Sequence, residues 1–304
     1  MISPLYRIVS CATLLFLLPP IILAQHSPEI IITAGYKGRI KTIVEYNYTD
    51  VSSTGFNVKT GAKFLRNYDV QGRLVKELVF DANKIQTSRS SYKYNDDGTL
   101  AEERNYSPSG KFQFANLYTY DENGKELLMK NYNAEGLLFI KSEFTYDNRG
   151  NLIKETTKNA EDITINVAKW KYDSRNNAIL EETFDADMIL TRKTLFLYDS
   201  SNHLTEETIL HYGMQVKNTY GYDSLGRVIE ECNYNGDGQI DKKVVSFYDE
   251  NGTIAEEIYY SGDGVKQKLV KYNNVYDNKR NLLSRTMIEN GKEIVIERRE
   301  IAYY

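Results

Sequence analysis

The segment Asn233-Tyr234-Asn235-Gly236-Asp237-Gly238-Gln239-Ile240-Asp241 has oxygen-bearing side chains at the spacing of a calcium loop. Asn233, Asn235, Asp237 and Asp241 stand at positions one, three, five and nine, with glycine at six. Two features weaken that reading: position one is an uncharged Asn, and position twelve is Val244, where a bidentate Glu belongs. The same glycine phase recurs in Tyr106-Ser-Pro-Ser-Gly110 and Tyr132-Asn-Ala-Glu-Gly136, where no ligand set exists. A turn explains all three segments, so neither a metal nor a cofactor is expected. His26, His203 and His211 share no motif, and neither a Gly-x-Ser-x-Gly elbow nor a phosphate loop occurs. Glycoside hydrolysis needs only two carboxylates, but 42 acids recurring in phase nominate no pair. Catalysis is not expected.

The 304 residues include 25 Tyr and 11 Phe but one Trp and two Cys, and 42 acids against 38 bases leave a charge of -4. Mean hydropathy is -0.52, which argues for excluding a polytopic membrane protein. The acidic balance argues against nucleic acid as a partner, and two cysteines make no disulfide framework.

Residues 1–24 differ from the rest. Arg7 is the one charge before an apolar run from Ile8 to Ala24, broken by Pro19 and Pro20. This is the pattern of a secretory signal peptide, with cleavage expected after Ala24 and a final location in the periplasm, on the outer surface or outside the cell. Membrane contact is expected only if that leader stays uncleaved. Cys11 lies at the start of the apolar run, whereas lipoprotein acylation requires it at the end, and Cys232 reads as a small buried apolar residue.

Residues 25–304 read as a single domain built on a repeat. Tyr followed by Asp or Asn recurs at Tyr68, Tyr94, Tyr120, Tyr146, Tyr172 and Tyr198 in steps of 26, and continues at Tyr222, Tyr248 and Tyr276. Regular units fill 68–304, with a degenerate one before them. Four residues after the tyrosine stands Gly72, Gly98, Gly150 or Gly226, or Asn176 or Asn202 in substitution; two further on comes Leu74, Leu152 or Val228. Asp suits the first position of a type I turn and glycine the left-handed position that closes it, giving a three-residue hairpin loop with a bulge. Tyr68-Asp69-Gly72-Leu74, Tyr146-Asp147-Gly150-Leu152 and Tyr222-Asp223-Gly226-Val228 are therefore read as turn and cross-strand pairing residues.

The stretches between turns are rich in Tyr, Val, Ile and Thr, so each unit should be two antiparallel strands. Ten units predict an all-β protein of about 20 strands: an elongated sheet of stacked hairpins, twisted or superhelical, about 95 Å long, behind an N-terminal signal helix. The pairs Tyr92/Tyr94, Tyr118/Tyr120, Phe144/Tyr146, Trp170/Tyr172 and Phe196/Tyr198 should line one face. Glu77, Glu103, Glu155, Glu181, Glu207, Glu231 and Glu257 are expected to form a charge ladder with Arg89, Lys93, Lys141, Lys169, Lys193, Lys217, Lys243 and Lys268 on the intervening strands.

Tyr-Asp-x-x-Gly-Arg/Asn-Leu-x-x-Glu, seen from Tyr68 to Glu77 and from Tyr146 to Glu155, resembles the YD-repeat, or RHS-repeat, family of bacterial secreted and surface proteins. The resemblance covers roughly 240 residues and implies a stack of hairpins, exported and without a toxin domain, with too few strands to close a large shell. The function expected is a non-catalytic binding or structural scaffold at the bacterial envelope, recognising protein or carbohydrate through an extended sheet surface. The alternatives are an accessory of a toxin or polymorphic secretion system and, less favoured, a carboxylate-only glycosidase. Open sheet edges would also permit end-to-end self-association.

Overall fold

The computed structural model describes residues 36–50, 59–289 and 291–304. The leader, its cleavage point after Ala24, Arg7, Cys11 and His26 lie outside the described residues. Among the described residues there is no helix. The strands are β1 (Ile40–Asp50), β2 (Lys59–Tyr68), β3 (Leu74–Phe80), β4 (Gln86–Tyr94), β5 (Leu100–Tyr106), β6 (Phe112–Tyr120) and β7 (Glu126–Tyr132). Next come β8 (Leu138–Tyr146), β9 (Leu152–Asn159), β10 (Thr164–Tyr172), β11 (Ala178–Asp185), β12 (Leu190–Tyr198), β13 (Leu204–His211) and β14 (Met214–Tyr222). The last are β15 (Val228–Tyr234), β16 (Ile240–Tyr248), β17 (Ile254–Ser261), β18 (Lys266–Tyr276), β19 (Leu282–Glu289) and β20 (Lys292–Tyr303).

Each hairpin is set by its turn. Asp69 N–H donates to the Arg73 carbonyl (2.9 Å) and Gly72 N–H to the Asp69 carbonyl (3.0 Å). Asp69 Oδ1 also accepts the N–H groups of Gln71 (3.0 Å) and Arg73 (2.9 Å), while Oδ2 meets Arg73 Nε at 2.7 Å. Asp147 and Asp223 make the same turn. Gly226 closes its turn at φ 74°, and Asn176 and Asn202 occupy the equivalent place at φ 66°, the residue types that tolerate left-handed backbone. Just outside the turns, Tyr68 stands opposite Leu74, Tyr146 opposite Leu152 and Tyr222 opposite Val228. The turn tyrosines also strap neighbouring repeats together. Tyr94, Tyr120, Tyr172 and Tyr222 each donate their hydroxyl at 2.7 Å to the carbonyl of Leu74, Leu100, Leu152 or Leu204, one repeat back. Replacing Asp69 by alanine removes the side-chain acceptor of two backbone N–H groups from one turn and should lower stability in urea melts by about 1 kcal/mol, with asparagine restoring most of it.

The twenty strands form one antiparallel meander, each paired with the next, and the sheet is not open. β1 pairs with β20 from Ile40 opposite Tyr303 to Asn47 opposite Glu297. Followed once around, the register returns to β1 displaced by about 22 residues, the stagger of a closed barrel. With ordinary strand spacing and rise, that stagger gives a tilt of about 37° and, for a circular section, a backbone diameter of about 38 Å. The expectation of an elongated, twisted or superhelical sheet is thus corrected. Each strand's twist tilts it against its neighbour, and over twenty strands the tilt brings the two edges together. Closure also removes the unpaired edges from which end-to-end association was argued.

Mid-strand exposure separates the two faces. Ser142 and Thr194 are 2% and 0% exposed on the tyrosine face, whereas Leu117 and Leu195 are 38% and 40% exposed on the other. Side chains crowd on the concave side of a curved sheet, so the tyrosine face is the inner wall.

The charge ladder exists, but on the outer wall and with different acids. Lys93 pairs with Glu102 (3.1 Å), Lys193 with Glu182 (3.9 Å), Lys217 with Glu206 (2.8 Å) and Lys243 with Glu230 (2.5 Å). The expected partners are the adjacent acids: Glu103, Glu207 and Glu231 lie one residue further on, and Glu181 one residue before. In a strand, one residue is a change of face.

Candidate functional site

The displaced glutamates define the inner wall. Along it, aromatic and acidic residues face each other across neighbouring strands: Tyr92 and Glu103, Phe144 and Glu155, Trp170 and Glu181, Phe196 and Glu207, Tyr220 and Glu231. Each pair follows from the repeat, since the aromatic stands two residues before the turn tyrosine and the acid nine after it. Amides and hydroxyls hold the carboxylates in place. Asn116 Nδ2 donates to Glu103 (3.1 Å), Tyr272 Oη to Glu257 (2.7 Å) and Asn233 Nδ2 to Glu231 (3.4 Å). Asparagines extend the network, Asn131 to Asn116 at 2.8 Å and Asn233 to Asn218 at 2.9 Å. Only near the closing strands is the acidity offset by a dense set of bases: Arg66 meets Glu77 (2.6 Å) and Glu45 (3.5 Å), and Arg299 meets Glu45 (3.2 Å) and Glu297.

Burial governs the titration of this wall. It raises the carboxyls of Glu155 and Glu181, the latter opposed by Arg192. Burial also pushes Tyr94, Tyr172 and Tyr198 up to about 12, so their hydroxyls remain donors at any physiological pH. The extreme case is Glu126: it is 4% exposed, neither carboxylate oxygen has a hydrogen-bond partner, and burial, with the Glu155 charge second, pushes it up to about 8. In its repeat the apolar and acidic columns are exchanged, Glu126 standing six residues after Tyr120 where Leu or Val is usual, and Met129 nine after it where Glu is usual. That exchange is the signal in the sequence that could have singled it out.

The turn residues Tyr68, Asp69, Gly72, Leu74, Tyr146, Asp147, Gly150, Leu152, Tyr222, Asp223, Gly226 and Val228 all lie at one end of the barrel, together with the residues that close it. The calcium-like set is dispersed at the other. Asn233 is on β15 with its amide committed to Asn218, while Asn235 Oδ1 accepts the N–H groups of Asp237 (3.1 Å) and Gln239 (2.9 Å) as a turn residue. Asp237 and Asp241 are exposed. Among the described residues no group of three or more His, Cys, Asp or Glu is arranged to hold a metal ion. His203 stacks on Tyr222 with ring centroids 4.7 Å apart and hydrogen-bonds Asp199 (3.1 Å) within its turn. Cys232 is buried against the outer wall, as a small apolar residue would be.

Residues 32–184 match the model of a protein family described as "Uncharacterised protein". The chain belongs to that family. No curated protein matches it. Among solved structures it is similar to a porin-like protein from Bacteroides uniformis, at 12% identity and a TM-score of 0.39, over 86% of this chain and 98% of that one. A porin-like protein from Bacteroides vulgatus is similar at 10% identity and a TM-score of 0.33, over 88% and 99%. A TcdB2–TccC3 structure is similar at 12% identity and a TM-score of 0.30, over 76% of this chain and 16% of that one.

The YD-repeat, or RHS-repeat, resemblance does not stand: the matching family model is a different one, and the sheet closes on itself at twenty strands. The reason is physical. Tyr-Asp-x-x-Gly is the requirement of a bulged type I hairpin behind an aromatic residue, and any meander that uses this turn repeatedly displays it.

Proposed function

We propose that this chain is a non-catalytic barrel of the bacterial envelope, or outside it, that binds a glycan along its inner wall. The observation that carries this reading is the aromatic–carboxylate belt. Flat rings alternate with hydrogen-bonding carboxylates, amides and hydroxyls, a combination suited to stacking on sugar faces and to satisfying sugar hydroxyls. At twenty strands a barrel is too wide for its inner side chains to meet, which leaves room for an elongated ligand. Residues 1–24, with the pattern of an export signal, support the location.

The outer wall speaks for contact with water rather than lipid. Its mid-strand Lys–Glu pairs would each set charges against hydrocarbon, where a single Lys costs about 2–4 kcal/mol at the bilayer midplane. Nine of its twenty strands span only 7 or 8 residues, short of the roughly 9–11 that a membrane-spanning strand needs. The test is a glycan array probed with the full chain. Saturable binding to a glycan class is expected, weakened about tenfold by Tyr118→Leu with Tyr220→Leu. An array without saturable signal, or one indifferent to those changes, rejects the reading.

A further inference from the structure

On the inner wall between β10 and β12, three polar atoms are enclosed without a hydrogen-bond partner: Thr183 Oγ1, Thr194 Oγ1 and Arg192 Nε. They are one cluster. Thr183 stands opposite Arg192, and Glu181 opposite Thr194, so four side chains make a two-by-two block on two adjacent strands. Thr194 is 0% exposed, Glu181 5% and Thr183 6%. Trp170, half-buried, stands opposite Glu181, while Ala168 stands opposite Thr183 and keeps the floor low. Enclosed polar groups are ordinarily paired, because each orphan costs stability. Elsewhere among the described residues such orphans occur at Glu126 and at the facing pair Asn274 and Arg285, but only this block gathers three atoms from three side chains on two adjacent strands.

We infer that the block Glu181, Thr183, Arg192 and Thr194, walled by Trp170, is a subsite for one neutral sugar ring. The assignment rests on the glycan reading above and locates it. The block measures about 5 by 7 Å, from one strand spacing and two residues' rise, the footprint of a pyranose. Its chemistry suits hydroxyls, which both donate and accept: Arg192 Nε donates, the Glu181 carboxylate accepts, and the two threonine hydroxyls do either. An anionic guest would face Glu181 and nearby Glu155, and a cationic one would face Arg192. Trp170 offers the ring face on which a sugar's C–H surface stacks. Arg192 and Trp170, both half-buried, are the cover that must turn aside for the guest to reach the threonines.

Trp170 is the sole tryptophan in the chain, so its emission reports this site and no other. The full chain is titrated with hexamers of α-1,4-glucose, β-1,4-glucose and β-1,4-N-acetylglucosamine, with hexalysine as the cationic comparison. A saturable change in Trp170 emission is expected with at least one sugar hexamer. Thr194→Val and Thr183→Val, which keep side-chain shape and delete the orphan hydroxyls, should each weaken it about tenfold, with the melting temperature held or raised. If the wild-type chain binds a hexamer but both valine variants bind equally well with the emission change intact, the subsite is refuted while the glycan reading survives. If no sugar alters the emission and array binding is also absent, both fall. A saturable response to hexalysine alone, lost in the same variants, overturns the ligand class.

Discussion

Replacing Glu126 by leucine should stabilise the barrel by about 4 kcal/mol at pH 8 and remove most of the decline in its stability between pH 5 and 8. The group is 4% exposed, both oxygens lack partners, and its carboxyl is pushed from 4.5 up to about 8. In the unfolded chain the carboxyl loses its proton near 4.5; in the folded chain it keeps it to about 8. Below the lower value both states are protonated and the group imposes no ionisation penalty. Between the two values the folded state holds the extra proton, and stability falls with rising pH by about 1.4 kcal/mol per unit until the upper value is passed. Leucine has no proton to hold and restores the residue type that Leu74, Leu100, Leu152 and Leu204 supply in equivalent places. Denaturant melts of both chains from pH 5 to 9 measure the effect. Parallel pH profiles would show that the buried carboxyl does not carry the charge penalty assigned to it.

What was legible in the sequence, and what was not, divides by range. The turn between Tyr68 and Leu74 is local: an Asp that accepts nearby N–H groups and a glycine that takes positive φ are enough to set it, so the strands, their order and their antiparallel pairing all follow. The period of two also places Tyr92, Tyr118 and Trp170 on one face. Closure is not local. It depends on a small stagger accumulated over twenty strands, and no single repeat encodes whether the last strand returns to the first. The ladder failed for a reason of resolution. Glu102 and Glu103 are adjacent acids, and only the bulge after the turn decides which of them shares a face with Lys93. The subsite was hidden more deeply, since Thr183 and Thr194 are common strand residues, and their orphaned hydroxyls emerge only when the grid of the inner wall is assembled.

A chain ending at Glu289, without β20, should lose its closed form altogether. β20 pairs with β19 on one side and β1 on the other, so its removal leaves β1 and β19 as unpaired edges, which recruit other chains. The turn end of the seam loses a set of contacts centred on Asn281, which is 3% exposed. Lys37 N–H donates to Asn281 Oδ1 (2.6 Å), and Asn281 Nδ2 lies 2.8 Å from the Lys37 carbonyl and 2.7 Å from Tyr303 Oη. On the inner wall, loss of Arg299 leaves Glu45 with Arg66 as its remaining ion-pair partner among the described residues. The radius of gyration in small-angle scattering is expected to rise from about 21 Å for the closed cylinder to at least about 26 Å for an opened sheet, with oligomers in size-exclusion chromatography. Because a truncated chain could also unfold, the full chain supplies an independent reading. Val44 stands directly opposite Glu300, so Val44→Cys with Glu300→Cys should oxidise to an intramolecular cross-link, as strand partners fall within disulfide reach. A monomer that never forms this bond, together with unchanged scattering after truncation, would mean the barrel is open in solution.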